Sequence, residues 1–242
     1  MPFPPGNRLL DALPPADAER ILRSARLITL ERTDRTARQN EPMLTVDFPV
    51  TALMSVSGVL ENGTVVEVAS VGTEGFVEVD AALEATIALR SASCQFPGTV
   101  VRVSLEDFQT GLELSRPFAR LVRRSVRARV FVSEQMQMCN LKHTIVQRLA
   151  RWLLIARDRL GQTEFPVTHD FLATILGTRR AGVSVAAADL DARHAITQQR
   201  GNVAILDLDR LVEASCECYA ACTEAIEQSI GPAAFENGAH RF

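Results

Sequence analysis

The sequence predicts an α+β protein in which an antiparallel β-barrel of the jelly-roll type precedes a long helix and a winged helix-turn-helix. Three observations favour this class. Short apolar runs separated by turn residues fill about residues 28–103, which is typical of small antiparallel barrels. No Gly or Pro interrupts the chain between Phe118 and Cys139, so a long helix can form there. Two helical patterns that meet at Gly177 are followed by two short strand-like segments, the order of a winged helix-turn-helix.

Composition and charge restrict the kind of protein. The chain has 242 residues, 47% hydrophobic and 23% charged, which favours a globular protein of one or two domains. Its apolar runs are too short to span a membrane, and its first residues lack the charged and apolar regions of a secretory signal. We therefore expect a cytoplasmic protein without a membrane partner. Because the net charge is −3, any binding of nucleic acid must depend on a local surface.

The first predicted domain, residues 1–112, combines short N-terminal helices with the barrel. Apolar residues recur at helical spacing over 7–13 and 16–27. The clearest hairpin signal is Asn62-Gly63, because a type I′ turn needs positive φ at both central positions. We expect a sensor domain built from these strands.

The second predicted domain, residues 113–160, holds the long helix and a further helix from about Leu141 to Leu160. Positions that step by four and three residues form a heptad-like seam on the long helix: Phe118, Val122, Ser125, Arg129, Val132, Met136 and Cys139. A long helix beside a small barrel leaves an apolar stripe, so we expect a partner helix from a second subunit to cover the seam. The alternative is packing within one chain.

The third predicted domain, residues 161–242, contains the helix-turn-helix. Thr168 is a good N-cap for a helix through Leu176, and Gly177 allows the positive φ of a tight turn. The elements expected after the turn are a helix over about 179–191 and two strands of a wing, 195–199 and 202–206. In such a motif the second helix enters the major groove of DNA.

Two groups of residues in this motif are candidates for DNA contact. The first turn of the second helix points at base edges and carries Thr178, Arg179 and Arg180, with Ser184 one turn later. Arginine can bond both O6 and N7 of guanine through its planar guanidinium. The residues better placed for phosphates are Thr168, His169 and Arg200. The alternative is a unit that only packs, since residues 168–206 hold four arginines against three aspartates, a weak positive charge.

Residues 146–154 (VQRLARWLL), 165–188 and 214–219 resemble the Crp/Fnr superfamily of bacterial transcription regulators. The resemblance implies a homodimer joined through the long helix, a palindromic double-stranded DNA site, contact with RNA polymerase, and an N-terminal sensor resembling cyclic-nucleotide-binding domains. It also implies that Arg179 and Arg180 begin the recognition helix. Ala181 stands where the family has Glu, and Val185 stands where it has a basic residue. We therefore expect a sequence-specific transcription regulator whose target differs from that of the best-known members.

The sensor residues resemble a cyclic-nucleotide site only in part. Members that bind such a ligand use a Gly-Glu turn and an Arg-Ser-Ala sequence, and the nearest matches here are Gly72, Glu74, Arg90 and Ser91. Glu74 is displaced by one residue and the two elements are far apart, so the alternative is an ordinary turn and a surface arginine. No cofactor follows with certainty, and a cyclic nucleotide is the one candidate. The first cysteine is Cys94, so the N-terminal cysteines of the oxygen-sensing branch are missing.

Cys216, Cys218 and Cys222 do not by themselves predict a metal site. At ~100° per residue, Cys216 lies ~200° from Cys218 on one helix, so three ligands would not converge, and buried thiols are expected. A site shared with a second helix is the alternative.

The sequence also lacks a Ser/His/Asp set, a P-loop and paired carboxylates, so we expect no enzyme. Ala181 and Val185 leave open a second function, a ligand-binding or interaction module of this fold that no longer reads DNA.

Overall fold

The computed structural model describes residues 6–199 and 201–231. Its N-terminal part begins with helices α1 (Arg8–Asp11) and α2 (Pro15–Ile21). The strands that follow are β1 (Arg26–Leu30), β2 (Arg35–Ala37), β3 (Thr45–Pro49), β4 (Leu53–Val59), β5 (Val65–Val71), β6 (Ser91–Phe96) and β7 (Gly98–Ser104). A 3-10 helix at Val79–Leu83 separates β5 from β6.

These strands form two antiparallel sheets, in the orders β1-β7-β3 and β2-β6-β4-β5. A buried cluster lies between the sheets and includes Leu30 and Val100 from the first, and Met54, Ala92 and Cys94 from the second. Within the described residues, hydrogen bonds do not close the two sheets into one barrel. The predicted barrel is therefore a jelly-roll-like pair of facing sheets, and the α+β class is confirmed.

The hairpin predicted at Asn62-Gly63 is confirmed, but its predicted type I′ turn is wrong, because Gly63 has a positive φ and Asn62 does not. This turn joins β4 to β5, whose residues pair from Val59 with Val65 onwards. Gly63 has a φ of +80°, and the side-chain oxygen of Asn62 accepts the backbone N–H of Thr64 at 3.0 Å. The turn therefore uses glycine because the backbone there is left-handed.

Three helices connect the sheets to the C-terminal part: α3 (Leu105–Leu114), α4 (Arg116–Lys142) and α5 (Ile145–Leu160). The predicted long helix is α4, with 27 residues. Thr144 and Gln147 form a capping box at the start of α5, and Gly161 ends that helix with a left-handed backbone. Among the described residues, no helix combines the length and apolar character needed to cross a membrane.

The C-terminal part is a winged helix-turn-helix followed by two helices. Its elements are β8 (Glu164–Phe165), α6 (His169–Leu176), α7 (Arg180–Ala192), β9 (Ile196–Gln199), β10 (Asn202–Ile205), α8 (Leu208–Ala214) and α9 (Cys218–Ile230). The three short strands form an antiparallel sheet in the order β8-β10-β9. The predicted recognition helix and wing strands are thus present within a residue or two of their expected bounds.

Aromatic side chains join the winged unit to the second sheet. The Phe96 ring of β6 packs edge-on against Phe165 and Phe171, with ring centroids 6.3 Å apart in both pairs. Trp152 of α5 packs edge-on against Phe171 at 6.0 Å. Leu53 and Phe96 therefore belong to the same buried cluster as the helix-turn-helix core. The second sheet and the winged unit therefore share an apolar contact. This contact would have to open or slide if the sheet and the winged unit moved relative to each other.

The seam of α4 is covered within the chain, so the expectation that a second subunit covers it is corrected. Phe118 and Val122 are buried in the core beneath α1 and α3, and Cys139 is buried against Cys216 and Cys218. Helix α9 lies along the rest of α4. The outward face of α4 instead exposes four apolar side chains: Val130, Phe131, Met138 and Leu141.

Candidate nucleic-acid interface

The two helices of the motif cross as their apolar positions predict. Leu172 and Leu176 of α6 and Val183 of α7 are buried at the crossing. Gly177 between the helices has a φ of +58°, and the N–H of Thr178 donates to the carbonyl of Ala173 at 3.0 Å. A glycine in the left-handed region thus ends α6 and allows the abrupt change of direction.

The N-terminal end of α7 presents two arginines to solvent. Arg179 is the N-cap residue, with an extended backbone and no side-chain capping bond, and it is exposed. The Arg180 side chain is 68% exposed, and its Nε lies 3.3 Å from Oδ1 of Asp170. This exposed pair is worth less than about 1 kcal/mol, so Arg180 can exchange Asp170 for another acceptor at little cost.

The rest of the outward face of α7 is small and apolar. Ala181 and Ala188 are exposed, and Val185 is 71% exposed, although valine is usually buried in a folded protein. The helix is held close to its support because Gly182 faces Ile145 of α5: a Cβ at Gly182 would lie 2.7 Å from Cδ1 of Ile145.

Three of the predicted contact residues already have partners within the motif. The Thr168 hydroxyl accepts the N–H of Phe171 as the N-cap of α6. His169 joins α6 to both neighbours: its Nδ1 lies 2.9 Å from Oγ of Ser184 in α7, and its Nε2 lies 2.6 Å from Oε1 of Gln198 in the wing. His169 and Ser184 therefore hold the recognition helix and the wing at a fixed separation. The remaining prediction, Arg200, lies outside the described residues; its neighbour Gly201 has a φ of +83°.

The predicted sensor residues do not gather into one site. Glu74 turns back on its own loop: it accepts the N–H of Gly72 at 3.1 Å and pairs with Arg159 of α5 at 2.8 Å. Arg90 is exposed and donates to the carbonyl of Leu89 at 2.7 Å. Ser91 accepts the N–H of Gln39 at 3.0 Å. Glu74 thus links the loop after β5 to α5, while Arg90 and Ser91 belong to a separate surface.

A cavity does lie beside Glu74, between β5, α4, α5 and α9. Its wall includes charged side chains and apolar residues from both halves of the chain: Glu67, Glu74, Arg129, Arg159, Ile175, Ile226 and Ile230. Burial raises the pKa of Glu67 from 4.5 to about 7, although Ser55 and Gln95 donate hydrogen bonds to its carboxyl group. Burial also lowers the pKa of Arg129, with a further contribution from the positive charge of Arg159. The cavity therefore holds the Arg129 guanidinium without full hydration, while Arg159 is paired with Glu74.

Sequence reasoning missed one cluster, formed by Cys139, His143, Cys216 and Cys218, whose side-chain ligand atoms all lie within 4.8 Å of one another. Cys139 and His143 are four residues apart and so share one face of α4. The signal in the sequence was this spacing together with Cys216-x-Cys218. What the pattern could not show is that the two pairs meet in space.

Residues 147–214 match the Crp-like helix-turn-helix domain. No curated protein sequence gives a significant match. The fold is similar to several solved structures at low identity. One from Eubacterium rectale, assigned to the Crp/Fnr family, has a TM-score of 0.66 at 16% identity over 88% of this chain and 97% of that chain.

Two further solved structures agree with that fold. A CRP-family transcriptional regulator from Thermus thermophilus has a TM-score of 0.66 at 18% identity, covering 78% of this chain and 96% of its own. FixK2 from Bradyrhizobium japonicum has a TM-score of 0.65 at 16% identity, covering 79% and 98%. At these identities the similarity establishes only the fold, that is, the arrangement of N-terminal sheets, long helix and winged unit.

Proposed function

We propose that this protein is a sequence-specific DNA-binding transcription regulator. Two findings support the proposal: a Crp-like helix-turn-helix domain, and a fold similar to that of Crp/Fnr regulators. One observation carries the proposal: the buried crossing of α6 and α7 leaves Arg179 and Arg180 exposed at the leading end of α7. Side chains at that end of a recognition helix reach base edges in the major groove.

The recognition face combines arginine with small apolar side chains. Arg179 and Arg180 bond guanine, for which a guanidinium is the best-matched partner. Ala181 and Val185 present methyl groups instead of polar side chains. Such apolar groups recognise the C5-methyl group of thymine. We therefore expect each half-site to contain a guanine next to thymine.

Positioning on the duplex belongs to the residues around this face. Thr168 and Arg200 approach phosphates, which fixes the register of the protein without reading sequence, while Thr178 stays with Arg179 and Arg180 at the base edges. Ser184 and His169 act through the placement of α7 and the wing, because their polar atoms are already bonded to each other.

The regulator acts as a homodimer on a palindromic site. Support comes from the outward face of α4, where Val130, Phe131, Met138 and Leu141 leave an apolar stripe on a long helix. A homodimer joined along this stripe has a two-fold axis, and a palindromic site then requires its two recognition helices to reach neighbouring turns of the major groove. Contact with RNA polymerase and a cytoplasmic location complete the proposal by resemblance, and the role is regulatory rather than catalytic.

The effector acts at the cavity beside α4 rather than at the four sensor residues expected from the sequence. Gly72 and Glu74 border this cavity through the Arg159 ion pair, whereas Arg90 and Ser91 lie on another surface. The guanidiniums of Arg129 and Arg159 favour a small anionic effector. A cyclic nucleotide is one member of that class, and a thermal-shift titration with it and with other small anions tests the assignment.

The test of DNA readout compares two arginines on selected and random duplexes. Arg180→Ala should weaken binding to the selected site by about 1–3 kcal/mol and relax one base position per half-site. Arg200→Ala should weaken binding to all sequences alike and reduce the steepness of the salt dependence. Equal losses on both duplexes for both variants would refute this division of roles. No protected site at low salt would favour the alternative, a module that no longer reads DNA.

A further inference from the structure

A compact cluster of three thiols and one imidazole joins the end of α4 to the start of α9. Cys139, Cys216 and Cys218 are all buried, and His143 is largely covered. The Sγ atoms of Cys139 and Cys216 are 3.6 Å apart, and the Sγ of Cys218 is 3.6 Å from Nδ1 of His143. Cys216 precedes α9 and Cys218 is its first residue, so the two thiols are not held apart by the angular spacing of a single helix.

We propose that Cys139, His143, Cys216 and Cys218 form a structural zinc site. Tetrahedral zinc with three thiolates and one imidazole has S···S edges of about 3.8 Å and S···N edges of about 3.6 Å, given its usual bond lengths. The Cys139–Cys216 and Cys218–His143 distances of 3.6 Å agree with these edges, and all four ligand atoms lie within 4.8 Å of one another, so a small inward movement completes the tetrahedron. Four protein ligands complete the tetrahedron and leave no open position, which is the arrangement of structural rather than catalytic zinc.

Neighbouring side chains suit the outer shell of such a site. Nδ1 of His143 faces the thiols, while its Nε2 lies 3.3 Å from Oε1 of Glu217. A carboxylate on the second ring nitrogen is the usual partner of a zinc-bound histidine, because it fixes the ring and raises its basicity. The Gln135 amide donates to Sγ of Cys218 at 3.1 Å, a contact that favours a thiolate.

The charge of a zinc centre in the cluster would also explain why two arginines are buried nearby. Arg148 and Arg151 are 9% and 7% exposed; within the described residues Arg148 donates to the carbonyl of Leu176 and Arg151 to Sδ of Met136, and neither is paired with a carboxylate. The Nε atoms of both lack a hydrogen bond. A zinc ion with three thiolates and a neutral imidazole carries a net charge of −1, since three negative ligands surround a divalent cation. Such a centre supplies the negative charge that these guanidiniums otherwise lack.

The site would connect α9 to the junction between α4 and α5. His143 is the C-cap of α4, and α5 begins two residues later. Because Cys216 and Cys218 come from beyond the winged unit, zinc closes a loop of more than seventy residues that contains the whole DNA-reading motif. Loop closure on this scale, together with ligand binding, makes the metal a substantial contributor to folding.

The test measures metal directly and needs no DNA. The full chain, purified under reducing conditions, should contain about one zinc ion per chain. Replacement by Co²⁺ should give the thiolate-to-metal charge-transfer and intense visible bands of a tetrahedral thiolate site. Absence of both metal and these bands after zinc or cobalt titration would overturn the proposal.

Single substitutions locate the ligands. Cys139→Ser and Cys218→Ser should each abolish stoichiometric metal or lower its affinity by at least tenfold, and should lose the Co²⁺ charge-transfer band. The matched control is Cys222→Ser, because Cys222 is equally buried on the same helix but stands outside the cluster. A chelator should lower the melting temperature of the wild type and of this control, and not that of Cys139→Ser. Equal metal loss in all three variants, or a Cys139–Cys216 disulfide in place of metal in the reduced protein, would overturn the site.

Discussion

Arg180 and Asp170 form an ion pair on the surface that we assign to DNA. The pair joins the first residue of α7 to the first turn of α6, and both side chains are exposed. In free protein the aspartate shields the charge of the arginine. On DNA the same aspartate would lie near phosphates, where its negative charge repels the duplex. We therefore expect Asp170 to weaken the binding of DNA.

Replacing this aspartate should tighten DNA binding. Asp170→Asn removes the competing acceptor and the repulsion, so we expect affinity for all duplexes to rise by about two- to fivefold, the range of an exposed ion pair. Fluorescence anisotropy at several salt concentrations measures the change. Asp189→Asn is the control, because Asp189 pairs with Arg193 near the far end of the same helix. The same gain in both variants would contradict a specific role for Asp170.

Glu67 gives the protein a predictable response to pH. Burial raises its pKa to about 7, so the folded state favours the protonated acid. The unfolded chain ionises it near its ordinary value of 4.5. Between pH 4.5 and about pH 7, the folded state therefore keeps a proton on Glu67 that the unfolded state has lost. The contribution of Glu67 to stability is present below pH 4.5 and is lost as the pH rises through about 7.

Glu67→Gln should remove this pH dependence. Glutamine keeps an oxygen that accepts from Ser55 and Gln95 but cannot ionise. We expect the variant to be more stable than the wild type by up to about 3 kcal/mol at pH 8 and nearly equal to it at pH 4.5. Urea unfolding at both pH values tests this. Glu61→Gln, in the exposed hairpin turn, should change stability equally little at both; a constant offset for Glu67→Gln would contradict the linkage.

At the scale of elements, α7 rests on α5 through a position that has no side chain. Gly182 lets the helix approach Ile145 more closely than any larger residue would. The carbonyl of Leu176 at the end of α6 accepts a hydrogen bond from the buried Arg148 of α5. Helix α5 therefore supports both helices of the motif, and its position sets the direction of the recognition helix.

Filling this contact should displace the recognition helix. Gly182→Val places branched carbons against Ile145, and overpacking of this kind costs about 1–3 kcal/mol. We expect lower thermal stability and weaker DNA binding, with partial recovery of stability when Ile145→Ala is added. Ala188→Val introduces the same side chain on the exposed face of α7 and serves as the control for helix propensity. Equal destabilisation by both valines, without recovery in the double variant, would contradict the contact.

Local signals in the sequence predicted the elements well, but not what covers them. Gly63 and Gly177 both have left-handed backbones that glycine adopts readily, so the positions of their turns were predictable, although the turn type at Asn62 was not. The spacing of apolar residues along the seam of α4 showed which face of the helix is buried, since apolar residues recur on the buried face. It could not show that α9, far along the chain, provides the cover. The thiol cluster was missed for the same reason, because Cys139 and Cys216 are 77 residues apart.

At the scale of the whole molecule, the outward stripe of α4 is the surface with which a second copy would pair. Its apolar residues occupy the C-terminal half of the helix. The N-terminal half of the same helix carries arginines: Arg116, Arg120, Arg123, Arg124 and Arg127. Like charges in parallel register repel. The two copies of α4 would therefore contact each other near Phe131 and Met138 and diverge towards the sensor sheets.

A charge in the apolar half should separate the subunits. Phe131→Asp is expected to weaken dimerisation by at least about tenfold, since it removes a large apolar contact and buries a carboxylate. Sedimentation velocity over a range of concentrations measures this. Leu83→Asp alters another exposed apolar residue, on the 3-10 helix, and should leave the dimer unchanged. Retention of the wild-type dimer by Phe131→Asp would place the interface elsewhere.

The cavity wall contains Ile175 from α6, Ile226 from α9 and Glu67 from β5, so one small space touches both the N-terminal sheets and the winged unit that we propose to read DNA. A molecule that prefers one arrangement of these walls must change the affinity for DNA, and thermodynamic reciprocity makes the converse equally true. The operator is then an allosteric ligand in its own right. A promoter with a tight site would capture its effector at concentrations that leave unbound regulator empty, so occupancy of the sensor would differ from one gene to another in the same cell.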